Sequence, residues 1–455
     1  MKTKDSISPL TRRRFLRSAI GSAGVLAFPT IIPATALGKN GKAPPSERVA
    51  IGIIGTGRRA GSARIYNNLP DTEIVALADP FGRRIESYKK RCEMTDRKLS
   101  EYKDFRELLA SDVDAVHITT ADYWHVPNLL LAARAKKHIY VEKPLGLSIE
   151  QCLASREVFE EHKVVVQYGT QNRSTFYVRS AMELMLNGHL GDIRDIYVWC
   201  PQGESGGVCK PEPAPEDLDY DLWLGPAPEK PFCQDRCLQQ GSRNGIFHIY
   251  DYAIGFLAGW GAHPMDQLQW WLDDNGLSIP EEVEATGGLP VEGLFDTLVH
   301  WDAKLRYRGG REITFADATT IAKHLPKLEG LKPGSHGTLF VGSEGWVYCA
   351  RNSVQTSSPA LRTKLKEPGP KRVVHSTNHM GNFVDAILGK NKTVTSLASA
   401  IRSDIACHLV DQAVRNSGPI QWDNDKMTIT NNEEAKAAMH RPMREPWNVL
   451  NKKYI

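Results

Sequence analysis

The sequence predicts an α/β protein, in which a doubly wound parallel sheet is followed by an α+β domain with a mostly antiparallel open sheet. Three observations carry this expectation. Short, apolar, mostly β-branched strand candidates at 49–54, 74–78, 115–119, 138–141 and 164–167 alternate with helical stretches such as 128–135 and 149–162. That is the rhythm of βαβ units whose strands are buried on both faces. The first strand runs into Gly55-Thr56-Gly57-Arg58-Arg59-Ala60, a glycine turn placed to open a helix. After about residue 172 the rhythm changes, and strands at 193–199, 297–307, 312–315, 338–341 and 346–349 follow without regular helices between them. The last two are joined by Gly342-Ser343-Glu344-Gly345, which predicts a hairpin.

Taken in order, the chain opens with Thr11-Arg12-Arg13-Arg14-Phe15-Leu16-Arg17, an apolar run over 19–32, and the small residues Ala34-Thr35-Ala36. This reads as a twin-arginine signal that the export machinery removes from an already folded protein, so a periplasmic location is expected. Residues 37–47, rich in Gly, Pro and Lys, read as a linker. Ser148 and Gln151 form a capping box for the helix over 149–162. A helix at 177–187 ends at Gly188, and a Pro- and Gly-rich excursion runs from Pro201 to about Asn244. Helices near 381–388 and 396–416 precede an irregular tail. The expected organisation is a signal at 1–36, the linker at 37–47, a nucleotide-binding domain at 48–172, and a substrate and oligomerisation domain at 173–455.

Composition narrows the function classes. The 455 residues are 41% hydrophobic and 24% charged, ordinary for a globular protein. The formal charge of +4 reflects the leader, because residues 1–36 hold six Lys or Arg and one Asp, leaving 51 basic and 52 acidic side chains. A net charge of −1 supplies no field for nucleic acid or anionic lipid. The leader's apolar run is broken by Gly21, Gly24 and Pro29 and falls short of the roughly 20 residues of a spanning helix. No later segment qualifies, so the mature chain is expected to stay off the membrane. The first cysteine is Cys92, which argues against a lipid-modified cysteine at the cleavage site. The eight cysteines are scattered, and only Cys233 and Cys237 are close. Without a matching His or Cys pair they predict no metal site. A disulfide among Cys209, Cys233 and Cys237 suits an oxidising compartment.

The glycine turn has a physical logic. Gly55 permits the tight turn, Gly57 lets a pyrophosphate approach the backbone together with Thr56 and Arg58, and small Ala60 allows close helix–sheet packing. The phosphates then sit on free amides at a helix start. Asp79 follows Gly55 by 24 residues at the end of the second strand. There it would bond the ribose hydroxyls and repel a 2′-phosphate, which favours NAD over NADP. Arg58 and Arg59 could still neutralise a phosphate. Two further segments lie just past strand carboxyl ends, where parallel sheets hold ligands: Thr119-Thr120-Ala121-Asp122-Tyr123-Trp124-His125 and Glu142-Lys143-Pro144.

Together with the glycine turn, these segments resemble the glucose–fructose oxidoreductase, inositol dehydrogenase and rhizopine-catabolism (Gfo/Idh/MocA) family. Glu142-Lys143-Pro144 matches its signature tripeptide. Thr120 to His125 is similar to its Thr-Pro-Asp-His-Trp-His, with Ala121 and Tyr123 as departures. The resemblance continues through Gln167–Arg173, Asp221–Pro226, Gly261-Ala262-His263 and Gly342–Trp346. It implies an NAD-binding Rossmann domain, a homo-oligomer, and a carbohydrate or polyol substrate. It also implies cofactor contacts at Thr120, Trp124, His125, Glu142, Lys143 and Gln171. Lys143 would stabilise an alkoxide or act as base once burial lowers its pKa, and His263 would exchange a proton with the substrate hydroxyl. Many relatives carry an Asp four residues before that histidine. Here the position is Gly259, so Asp266 or Asp251 becomes the candidate orienting group. Arg173, His248, Asp251, Tyr252 and Asp266 are the candidate substrate contacts, since aromatics and hydroxyls suit a sugar.

The resulting expectation is an NAD-dependent oxidoreductase moving hydride between a secondary hydroxyl carbon and a tightly bound nicotinamide. No cytoplasmic pool refreshes a cofactor after export, so the reaction should return it to its starting state. A redox-neutral NAD-dependent glycoside hydrolase is the alternative, working by oxidation, elimination, hydration and reduction. A binding protein with a vestigial nucleotide domain is disfavoured by intact Gly55, Gly57, Asp79, Lys143 and His263.

Overall fold

The computed structural model describes residues 43–44, 47–237 and 245–451. The expected twin-arginine signal at 1–36 and most of the expected linker at 37–47 lie outside the described residues. Six strands form the first sheet: β1 (Val49–Ile54), β2 (Thr72–Ala78), β3 (Ser100–Tyr102), β4 (Ala115–Ile118), β5 (His138–Val141) and β6 (Val166–Tyr168). Their order is β3-β2-β1-β4-β5-β6, and every pair is parallel. The order reverses between β1 and β4, which opens a crevice at their carboxyl ends. β4 is buried at all four positions, as a central strand covered on both faces must be.

The second sheet holds β7 (Ile193–Cys200), β8 (Glu282–Gly288), β9 (His300–Tyr307), β10 (Arg311–Asp317), β11 (Gly337–Gly342), β12 (Gly345–Ala350), β13 (Ser353–Thr356), β14 (Ile420–Asp423) and β15 (Thr428–Ile429). Its order is β13-β12-β11-β7-β10-β9-β8-β14-β15, and only β7 and β10 pair in parallel. The expected fold class is therefore present, a parallel doubly wound sheet followed by a mostly antiparallel one. Gly342 pairs with Gly345 across a two-residue turn, closing the expected hairpin. The helices Ala262–Asp274 and Leu397–Arg415 pack on each other and on one face of this sheet. One apolar cluster runs from Ile118 and Leu129 beside the first sheet to Phe315, Phe340 and Leu409 in the second.

Several local expectations fail for identifiable reasons. The glycine turn opens a 3₁₀ stretch, Arg59–Asn68, instead of an α-helix. Gly61 and Ser62 in its first turn are poor helix formers, and no side chain caps it. The helix expected over 149–162 stops at Ala154 and resumes as a π-turn, Val158–His162. Ser155 Oγ bonds back to the Gln151 carbonyl at the break, a contact that disturbs helices. Ser148 caps the helix as expected, but the Gln151 side chain accepts from Leu147 N rather than Ser148 N, so the box is shifted by one residue.

The two sheets are joined by a buried ion pair. Arg173 Nε lies 2.8 Å from Asp266 Oδ2, which also accepts from Thr170 Oγ1 at 2.7 Å. The Arg173 guanidinium stacks over Trp270, 4.8 Å from the ring centre. Their side chains are 4% and 0% exposed, so the strength of the pair depends on both partners being present. Asp266→Ala strands a buried guanidinium and should cost about 3–5 kcal/mol of stability. Chemical denaturation measures it, and a loss below about 1 kcal/mol would show that the pair carries no structural weight.

Candidate active site

The carboxyl ends of β1, β2, β4, β5 and β6 bring the sequence motifs to one edge. Gly55 adopts φ +84°, and a Cβ there would sit 2.9 Å from Thr120 N, so only glycine fits between the two strand ends. A Cβ at Gly57 would meet nothing within 4 Å, leaving the backbone open to an approaching ligand. Ala60 is fully buried against the sheet. Asp79 accepts from Thr56 N at 2.7 Å, Thr56 Oγ1 at 3.0 Å and Phe81 N at 3.0 Å, which stiffens the turn and leaves carboxylate lone pairs for one more donor. The crevice encloses about 500 Å³ and is walled by Gly57, Arg58, Asp79, Thr120 and Trp124. Trp223 from the excursion and Phe247 just after it close its other side. An open backbone turn beneath a basic, partly aromatic cleft fits a nicotinamide dinucleotide.

The glycine-turn arginines divide their work. Arg58 stays exposed at the crevice, whereas Arg59 reaches Glu142 Oε1 at 2.6 Å. Arg59 therefore neutralises a carboxylate, not a phosphate. Gln171 Nε2 also donates to Glu142 Oε1 (3.1 Å) and to Tyr140 Oη (2.8 Å). Burial opposes the Glu142 charge, but the Arg59 guanidinium outweighs it and holds this carboxyl below its ordinary range. His125, expected at the cofactor, is buried and instead bridges two loops, with Nδ1 2.6 Å from the Pro144 carbonyl and Nε2 3.1 Å from the Thr120 carbonyl. Trp124 Nε1 donates to the Trp223 carbonyl at 3.3 Å, tying the excursion to the crevice wall.

Lys143 Nζ donates to the Gly259 carbonyl. The backbone of the departed aspartate position thus holds the lysine. Burial pushes the Lys143 pKa down, while Glu142 and Asp122 favour its charge. His263, one residue into the helix Ala262–Asp274, is 6% exposed, and its Nδ1 has no partner among the described residues. Burial and then the Lys143 charge drive its pKa far down, so the imidazole is neutral with a free nitrogen. The arrangement offers a cationic donor beside a neutral proton acceptor.

Other expected substrate contacts lie elsewhere. Arg173 and Asp266 are bound to each other, so Asp266 does not orient His263. Asp251 faces a separate cavity of about 310 Å³ with Tyr250 and Arg441. Tyr252 is fully buried, its ring 5.2 Å from Tyr123 and 5.5 Å from Trp223. His248 is buried against Phe256 and Phe295, which lowers its pKa to about 4. Three residues outside the expected set join the site. Asp122 has a buried, unpartnered Oδ2, and burial raises its pKa to about 7 beside Lys143. Trp260 and His336 lie on the far side of His263. Asp122 sits inside the Thr119–His125 motif and Trp260 between two glycines, signals that could have found them, whereas His336 carries none.

Cys209 and Cys233 form a disulfide, with Cα atoms 5.5 Å apart. Cys152, Asp404 and His408 cluster with metal-ligating spacing, but their polar groups are already engaged. Asp404 accepts from Leu145 N (3.2 Å), Gly146 N (3.0 Å) and Cys152 Sγ (3.3 Å), and His408 Nε2 meets the Gly146 carbonyl at 3.0 Å.

A family model described as the oxidoreductase family NAD-binding Rossmann fold matches residues 49–170, and one described as the oxidoreductase family C-terminal alpha/beta domain matches residues 196–449. The chain belongs to the Gfo/Idh/MocA oxidoreductase family. An inositol 2-dehydrogenase/D-chiro-inositol 3-dehydrogenase of Halalkalibacterium halodurans is 36% identical over 126 residues, 27% of this chain and 35% of that one. A glycosyl hydrolase family 109 protein of Shewanella pealeana is 30% identical over 164 residues, 31% of this chain and 35% of that one. The chain thus matches about a third of the length of these two relatives. The WlbA dehydrogenase of Bordetella pertussis, solved with NADH and UDP-GlcNAcA, shares the fold with a TM-score of 0.57 at 16% identity, covering 83% of this chain and 99% of that one.

Burial fixes an acid sensitivity. His117 is pushed down to about 3, His248 and His379 to about 4, and His263 far below 6.5. At neutral pH neither the folded nor the unfolded chain protonates them. Below their ordinary 6.5 the unfolded chain takes up protons that the folded one refuses, so these groups withdraw stability from pH 6.5 down toward 4. Asp122, raised to about 7, works in the opposite direction over the same window, so the histidine share is read residue by residue. By NMR titration each of these imidazoles should protonate below 6.5 in the folded protein, and one that protonates at or above 6.5 would contradict the neutral assignment.

Proposed function

We propose that this chain is an exported NAD-dependent oxidoreductase that moves hydride between a secondary hydroxyl carbon of a sugar or polyol and a tightly held nicotinamide. The observation that carries this reading is Lys143 held at the Gly259 carbonyl near a neutral His263 whose Nδ1 is buried without a partner, on the sheet edge that also carries the glycine turn. Nicotinamide, when bound, supplies the hydride acceptor and donor. His263 takes the hydroxyl proton, and Lys143 Nζ donates to the same oxygen as negative charge grows on it. The inositol dehydrogenase relative supports a polyol or sugar as substrate. Asp79 at the ribose end supports NAD over NADP.

Tight retention is supported by the excursion, which clamps the first domain from outside. Asp217 accepts from Arg83 Nε at 3.0 Å and gives its carbonyl to Gly82 N at 3.1 Å, while Asp219 N donates to the Pro80 carbonyl at 2.9 Å. The Cys209–Cys233 disulfide closes this segment on itself and supports the export that the twin-arginine signal at Arg12–Arg14 predicts. The family 109 relatives favour a second reading, a redox-neutral glycosidase in which one substrate is oxidised and then reduced again. Both readings close the cofactor cycle within one site.

Protein purified from its host should release about one NAD per chain on denaturation, and Lys143→Ala or His263→Ala should cut turnover roughly 10²-fold while keeping the nucleotide. Turnover is scored by products formed on bound nucleotide alone; release of a free aglycone selects the glycosidase. Absence of any nucleotide, or resumption only on added NAD, would remove the closed-cycle reading. The clamp has its own check: Arg83→Ala combined with Cys209→Ser and Cys233→Ser should accelerate nucleotide loss on dialysis, and an unchanged loss rate would dismiss the clamp.

A further inference from the structure

One end of the second sheet gathers groups for which the proton and hydride steps have no use. β7, β10 and β12 finish there and β11 begins there, as their parallel and antiparallel pairings require. Continuing the β11–β12 register past Thr338 and Cys349 sets His336 opposite Arg351. Trp260 stands between that pair and His263, with its ring centre 5.4 Å from His336 and 6.3 Å from His263. Trp260 and His336 are partly exposed and Arg351 is exposed. Among the described residues Arg351 has no hydrogen-bond or ion-pair partner.

The neighbouring carboxylates are engaged elsewhere. Glu142 holds Arg59 and Gln171, Asp266 holds Arg173, and Asp317 accepts from Trp301 N and Thr319 N. After burial, the largest influences on His263 come from Lys143, Arg59, Arg351 and His336, all of them bases. Arg59 is answered by Glu142 and Lys143 by Glu142 and Asp122, so the positive charge left unanswered on this side is that of Arg351. A guanidinium without a partner presents a planar fork matched to the two oxygens of a carboxylate or phosphate. An indole face beside it suits the apolar face of a sugar ring.

We propose that Trp260, His336 and Arg351 form a subsite selecting an anionic sugar, with the ring stacked on Trp260 and the carboxylate or phosphate held by Arg351 and His336. The proposal deepens the sugar-oxidoreductase reading and rests on it. The neutral sugars serve as the reference for what the anion adds.

The test titrates nucleotide-loaded enzyme with D-glucuronate, D-glucose 6-phosphate, D-glucose and myo-inositol by calorimetry, and follows reduction of the bound nucleotide. At least one anion should bind about tenfold or more tightly than D-glucose. The preference should weaken with added salt, collapse in Arg351→Ala and partly survive in Arg351→Lys. Preference for glucuronate assigns a carboxylate and preference for glucose 6-phosphate assigns a phosphate, and either supports the subsite. Nucleotide content and melting temperature verify that the variants are folded. Equal binding of D-glucose, or a preference untouched in Arg351→Ala, overturns the subsite while neutral-sugar oxidation leaves the oxidoreductase reading standing. If no sugar reduces the bound nucleotide, both fall together.

Discussion

The loop from Glu142 to Gly146 is tied at every residue, and the site depends on those ties. Arg59 and Gln171 hold Glu142, the Gly259 carbonyl holds Lys143, His125 holds the Pro144 carbonyl, and Asp404 holds Leu145 N and Gly146 N. The partners come from the glycine turn, the Thr120 loop, the crossover after β6 and two helical segments of the second domain. Each tie is buried or half-buried, where a charge-assisted bond is stronger and an unmade one costs more. Lys143 is consequently positioned by both domains at once, and a shift in either one moves it.

The same economy explains where carboxylates went. Glu142 is neutralised by Arg59, Asp266 by Arg173, and Asp404 by backbone amides, so no acid in this centre is left as a free negative charge beside Lys143 except Asp122, whose burial pushes its pKa to about 7. A centre arranged in this way favours an oxygen that becomes negative over one that stays neutral.

The fold was legible where strands are continuously apolar. β1 and β5 run over the residues expected of them because such strands are buried on both faces and end at glycine or charge. β8 was invisible for the opposite reason. Its outward Glu282 and Glu284 make sense only once Arg306 of β9 lies opposite them. The excursion hid its role because Asp217 answers Arg83, 134 residues away. In the site, glycines and the lysine tripeptide speak for themselves, since backbone space and local charge decide them. Side-chain allegiance does not: Arg59 finds Glu142 across 83 residues and Arg173 finds Asp266 across 93, and no local pattern announces either choice.

The replacement of an orienting aspartate by Gly259 follows through to the chemistry proposed for the site. A carboxylate on the free Nδ1 would make His263 a stronger base and hold the proton it accepts. Without one, burial and the Lys143 charge leave the imidazole weakly basic, so a proton taken from a hydroxyl is readily returned. A weak base is poorly suited to driving net oxidation but suits a proton and a hydride that leave and come back together. If, as proposed, the protein is exported and keeps its nucleotide behind the excursion, that reversibility is the property a closed cycle requires. Gly259 then serves as more than a lost partner, because its carbonyl holds Lys143 at the oxygen while its missing side chain leaves His263 free to give the proton back.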